Sequence, residues 1–159
     1  MQARIGFMNV NPGIIQAMLG LEQQVRQAGL DHKMLDLVRM RASQINGCAY
    51  CLDMHSKEAR ANGESEQRLY GLDAWRETPY YSARERAALE WTEALTLVAD
   101  TRVPDDVFER VREQFSEAEL AHLSLAVVAI NGWNRLNVAA RTVPGGYVAG
   151  SLGVRPPAP

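Results

Sequence analysis

The sequence predicts an all-α domain. Apolar residues recur at helical spacing along almost the whole chain, two capping boxes open late helices, and no convincing strand alternation interrupts them. With 159 residues, the chain suits a single domain, 1–159. A chain of that length buries roughly 70% of its unfolded surface on folding, so it can build a core without disulfides or metals.

The elements follow in order. Residues 1–11 look extended. Pro12 sits where a first helical residue often sits, and Ile14, Ile15, Met18, Leu19, Leu21 and Val25 carry helical spacing to about Gly29. A second helix starts near Asp31 and ends at Asn46-Gly47, because Gly takes the left-handed conformation cheaply. A third begins at or near Cys48 and runs to about Asn62-Gly63; a short one covers Ser65 to Leu72. Residues 73–81, with Pro79 and three aromatics, read as a loop packed on the core. Ser82 with Glu85 caps a helix to about Ala99, Pro104 opens another through Phe115, and Ser116 with Glu119 caps a long last helix to about Arg141. The tail from about Pro144 is rich in Gly and Pro and is expected to be flexible; Tyr147 and Val148 could add one short extended piece. The last helix is apolar nearly all round between Leu120 and Ile130, which suits a central core helix, a subunit interface, or both. A homo-oligomer is expected on that ground.

Composition narrows the functional classes. Seventeen basic against 19 acidic residues leave a net charge of −2, with no basic stripe, which argues against a nucleic-acid partner. The longest apolar run, Leu123 to Ile130, is too short to cross a bilayer, so no membrane partner is expected. The first residues lack the apolar stretch of a signal peptide, which points to the cytoplasm. There, two cysteines three positions apart read as catalytic or metal-binding rather than as a disulfide framework.

Those two are Cys48 and Cys51. On the opening turn of helix three, free backbone N–H groups and the helix dipole favour a thiolate, the form that does thiol chemistry. Their spacing puts both sulfurs on one face, close enough to close a disulfide. His55 lies one turn beyond Cys51 and can take and return a proton. Asp36 precedes Gly47 by eleven residues and His55 follows it by eight, so on an antiparallel hairpin the two sit roughly level. Asp36 could then orient the imidazole, directly or through a water; Glu22 on helix one is a weaker candidate for the same part.

Plainer readings compete. Cys48, Cys51 and His55 with His32, His122 or Asp36 could hold structural zinc, but such sites usually use two spaced ligand pairs and no second pair exists here. Inert core cysteines would not explain the histidine one turn on. Haem attachment needs a histidine directly after Cys51, where Leu52 stands. No metal or cofactor is therefore expected. His32 and His122 read as structural, and Trp75, Trp91 and Trp133 as core. The polar patch Asn131-Gly132-Trp133-Asn134-Arg135 could cap, bridge subunits or line the dithiol pocket.

The stretch Arg41-Ala-Ser-Gln-Ile-Asn-Gly-Cys-Ala-Tyr-Cys-Leu-Asp-Met-His55 resembles the core of the AhpD-like alkylhydroperoxidases, of the carboxymuconolactone decarboxylase superfamily. The helix Ser82–Thr96 and the patch Ile130–Arg135 resemble it too, and the likeness spans roughly residues 12–142. It implies an AhpD-like helical domain with a central hairpin carrying the Cys-x-x-Cys motif, assembled as trimers or hexamers. It also implies hydroperoxide reduction through a disulfide cycle, with electrons from a dithiol reductant such as a lipoylated or thioredoxin-like protein. By resemblance Cys51 is peroxidatic, Cys48 resolves the sulfenic acid and meets the reductant, and His55 is the family histidine. Asp36 stands where the family has a proton-relay glutamate, and Tyr50 where AhpD has a second histidine. The alternatives are a lactone decarboxylase of the same superfamily and a non-enzymatic redox-sensing oligomer.

Overall fold

The computed structural model describes residues 2–151. It is helical, with no strand among the described residues. A single turn, α1 (Phe7–Val10), interrupts the opening stretch expected to be extended; four residues are too few to show a period in sequence. Helix α2 (Pro12–Gln27) begins on the expected proline, with the Asn11 side chain accepting from the Gly13 N–H. Asp31 caps α3 (His32–Ile45) in the same way. After α4 (Ala49–Ala61) and α5 (Glu66–Tyr70), the chain continues as a 3₁₀ helix, Gly71–Glu77, where a loop was expected. The backbone kinks at Ala74 within this stretch, and Leu72 and Trp75, on either side of the kink, are both buried.

Both capping boxes form as predicted, on α6 (Ala83–Thr96) and α9 (Glu117–Ala140). Helix α6 stops short of Ala99 because the chain turns at Leu97 and restarts as α7 (Val98–Thr101), tied back by the Thr101 hydroxyl donating to the Ala94 carbonyl at 2.7 Å. Pro104 caps α8 (Asp105–Arg112) rather than opening it as a first residue, and α8 ends before Phe115.

The centre of the fold is α3. Every residue from Met34 to Met40 is buried, and α4, α6 and α9 pack around it. Helix α9 buries Leu120, Leu123, Val127 and Ile130 but leaves Val128 57% exposed, so it flanks the core rather than forming its axis. One apolar cluster joins α2, α3, α6 and α9 through Val25, Met34, Val38, Trp91 and Leu123; a second joins α3 and α6 to the 3₁₀ helix through Leu37, Leu89, Leu72 and Trp75. Trp133 is only half-buried. No helix among the described residues is long and apolar enough to cross a membrane.

Residues 145–151 lie on α4, held by hydrogen bonds to its side chains. Residues 152–159 of the tail lie outside the described residues. Truncating the fully buried Leu123 to Ala is expected to cost about 2–5 kcal/mol, read as a lowered urea midpoint with an unchanged m-value.

Candidate active site

The site is built at the turn from α3 to α4. Gly47 takes a left-handed φ of 63°, and the Cys48 N–H returns to the Ser43 carbonyl at 3.0 Å, closing the end of α3. Side chains from α9 lock this turn. Asn134 is fully buried; its amide donates to the Ser43 hydroxyl at 3.0 Å and accepts from Asn46 at 2.9 Å. Asn46 also donates to Asn131, which donates to the Thr96 hydroxyl on α6, each at 3.0 Å. The polar patch of the last helix therefore serves to fix the cysteine turn against α6 and α9.

Cys48 is the N-cap residue of α4, and its sulfur accepts from the Cys51 N–H at 3.4 Å. The two sulfurs are in disulfide contact, with Cα atoms 5.3 Å apart. Both residues are buried, at 1% and 2% exposure. From Cys51, the positions at helical spacing along one stripe of α4 are His55, Glu58 and Asn62. Asn137 on α9 donates to the Cys51 sulfur at 3.6 Å.

The acid side differs from the simplest sequence expectation. Asp36 is buried, but it accepts from Asn62 at 2.7 Å and pairs with Arg39 at 3.7 Å; no hydrogen bond joins it to His55 among the described residues. Glu22 pairs with Arg39 at 3.0 Å, so it reaches the site only through that guanidinium. Burial outweighs these partners and raises the Asp36 carboxyl above its ordinary value. His55 is pushed down to about 3, first by burial and then by the Arg39 charge, so its ring is neutral at physiological pH. His32 is exposed and His122 half-buried. No group of three or more His, Cys, Asp or Glu side chains among the described residues is arranged to hold a metal.

The C-terminal segment walls the other side of α4. Lys57 donates to the carbonyls of Gly145 at 3.2 Å and Tyr147 at 3.0 Å, and the Gly145 N–H donates to Asp53 at 3.0 Å. Buried Glu58 accepts from the Tyr147 hydroxyl and, at 2.9 Å, from the Gly150 N–H. Burial and the Glu58 carboxylate push the Tyr147 hydroxyl up to about 12. Sequence reasoning missed Glu58, Tyr147 and Asn137. Glu58 had a signal, its place on the Cys51–His55 stripe; the other two are brought in by long-range packing.

A helical domain with a Cys-x-x-Cys pair at a helix start and a histidine one turn further defines a dithiol protein of the all-α class. Residues 12–94 match the carboxymuconolactone decarboxylase family. The uncharacterized protein YdfG of Bacillus subtilis is 41% identical over 139 residues, 87% of this chain and 95% of the relative. A solved Agrobacterium tumefaciens protein of unknown function, described as an AhpD candidate in antioxidant defence, is 42% identical. It superposes with a TM-score of 0.88 over 92% of this chain and 100% of its own. The debrominase Bmp8, at 20% identity and a TM-score of 0.75 over 87% of this chain and 75% of its own, shares the fold. The chain thus belongs to the carboxymuconolactone decarboxylase family, as an AhpD-like member.

The buried histidine makes stability depend on pH. Unfolded, His55 takes a proton near pH 6.5; folded, only near 3. Between those values the unfolded chain binds more protons, so stability falls as pH drops, by up to about 1.4 kcal/mol per pH unit. Asp36 acts oppositely. Its raised folded value contributes stability that is fully present below 3.8 and is lost as pH rises from there through the higher folded value. Asp36 is common to wild type and His55→Gln, so from pH 7 to 5 wild type should lose up to about 2 kcal/mol more than the variant in urea denaturation. Equal losses would contradict a neutral, buried ring.

Proposed function

We propose that this chain is a thiol-dependent peroxidase that reduces hydroperoxides through a Cys48–Cys51 disulfide cycle. The observation that carries the reading is the cysteine pair on the first turn of α4, in disulfide contact, with His55 one turn above Cys51. The 42% identical A. tumefaciens protein, described in terms of antioxidant defence, supports it.

In the reduced protein His55 takes the Cys51 proton. The ring is neutral beside the uncharged disulfide; a thiolate one turn away raises its proton affinity and makes it a working base. The thiolate attacks one peroxide oxygen, the O–O bond breaks, and the other oxygen leaves as alcohol or water with the proton from His55. Cys51 is left as a sulfenic acid. Cys48, whose charge the helix start favours, attacks the Cys51 sulfur; the S–S bond forms and water leaves. An external dithiol, a lipoyl group or a thioredoxin-like protein, reduces the disulfide by exchange and is itself oxidised. Asp36 orients His55 through a water, since its direct bonds go to Asn62 and Arg39.

Cys51→Ser should abolish dithiol-dependent peroxide consumption, and Cys48→Ser should allow at most one turnover. Full activity in both variants sinks the mechanism. Activity that survives alkylation of both thiols would point instead to lactone decarboxylase chemistry. The same reading carries a homo-oligomer, because Val128, Val98 and Leu97 leave an apolar surface exposed along α7 and α9. Val128→Arg is then expected to lower the sedimenting mass to that of the monomer, and a wild type already monomeric would exclude the assembly.

A further inference from the structure

Asn131, Asn134 and Asn137 form a stripe of three amides on α9, each three residues from the next. The first two tie down the turn before Cys48. The third does something different. The Asn137 side-chain nitrogen has two hydrogens to donate and two acceptors within reach, the Trp133 carbonyl on its own helix at 3.0 Å and the Cys51 sulfur at 3.6 Å. The bond to Trp133 fixes the rotamer, so the second N–H is aimed before any charge develops on sulfur.

Cys51 needs such a donor. The N–H at the start of α4 that could stabilise a thiolate points at Cys48, not Cys51. By cap geometry alone Cys48 would carry the charge more readily. A thiolate on Cys51, at 2% exposure, also has almost no water to solvate it. The titratable and charged groups near the pair on α4 and on the elements packed against it are Tyr50, Asp53, His55, Lys57 and Glu58 on α4, Asp36 and Arg39 on α3, and Tyr147 of the C-terminal segment. Glu58 and Asp36 are committed to Tyr147, Gly150, Asn62 and Arg39.

We propose that Asn137 is a catalytic residue that stabilises negative charge on the Cys51 sulfur, deepening the peroxidase reading on which this inference rests. It acts in both halves of the cycle. When Cys51 attacks peroxide, it favours the thiolate over the thiol. When an external dithiol thiolate attacks the Cys48 sulfur, a new S–S bond forms to Cys48 and the old one breaks. The electron pair then leaves on Cys51, where Asn137 again receives it.

The test titrates Cys51 by thiolate ultraviolet absorbance in a Cys48→Ser background, where serine still caps α4. Adding Asn137→Ala should raise the thiol pKa by about one to two units, as loss of a charge-assisted hydrogen bond requires. Alkylation by iodoacetamide near neutral pH should slow about tenfold. Asn137→Ser, which keeps a donor near the helix, should recover part of the shift and serves if the alanine variant does not fold. An unmoved pKa in a folded variant overturns the assignment, leaving Asn137 a packing residue. No peroxide enters this titration. If the pKa shifts but wild type consumes no peroxide with a dithiol, the peroxidase reading fails and the role of Asn137 at the sulfur stands.

Discussion

Asn134, with no exposed surface, donates to Ser43 and accepts from Asn46, and so closes α9 onto the last turn of α3. A buried amide left without partners costs about 1–3 kcal/mol, so the two helices are held to one register. That register decides where Gly47 turns, where Cys48 can cap α4, and hence which side of α4 carries both sulfurs. Asn137 lies one turn further along α9, so the packing that fixes the cap also sets the donor that reaches Cys51.

The same hairpin buries charge. Asp36 and Arg39 lie inside α3, and their cost is offset by Asn62 and Glu22. This keeps His55 in a dry, positively biased setting where its ring is neutral. The C-terminal segment seals the far side through Lys57 and Glu58, so α4 is enclosed by α3, α9 and residues 145–151. The chemistry of the dithiol is then governed by a few fixed donors rather than by bulk water.

Much of this was legible in the sequence, where the signal is local. The caps of α2, α3, α6 and α9, and the glycine turn before Cys48, depend on residues within four positions of one another. So does the Cys48, Cys51, His55 spacing. What was not legible depends on distance or on unusual periods. The 3₁₀ stretch hides because it is seven residues long and kinked at Ala74, so no regular period marks it. The central place of α3 came from the family resemblance and not from its own pattern, because Asp36, Arg39 and Arg41 make it look half-exposed, whereas their partners arrive from α2, the end of α4 and α6. Asp36 was found by hairpin register, yet its hydrogen bond goes to Asn62, a residue that reads in sequence only as a helix end. Asn137 meets Cys51 across 86 residues, and nothing short-range announces it.

The peroxidase reading stands or falls on whether peroxide and the dithiol exchange electrons in fixed proportion. The direct measurement is a single turnover of the reduced protein without reductant, counting hydroperoxide consumed and Cys48–Cys51 disulfide formed by mass spectrometry. The cycle predicts one disulfide for each hydroperoxide, with alcohol or water as the product. Peroxide left intact beside a reduced dithiol, or consumed while both cysteines stay free, would contradict it.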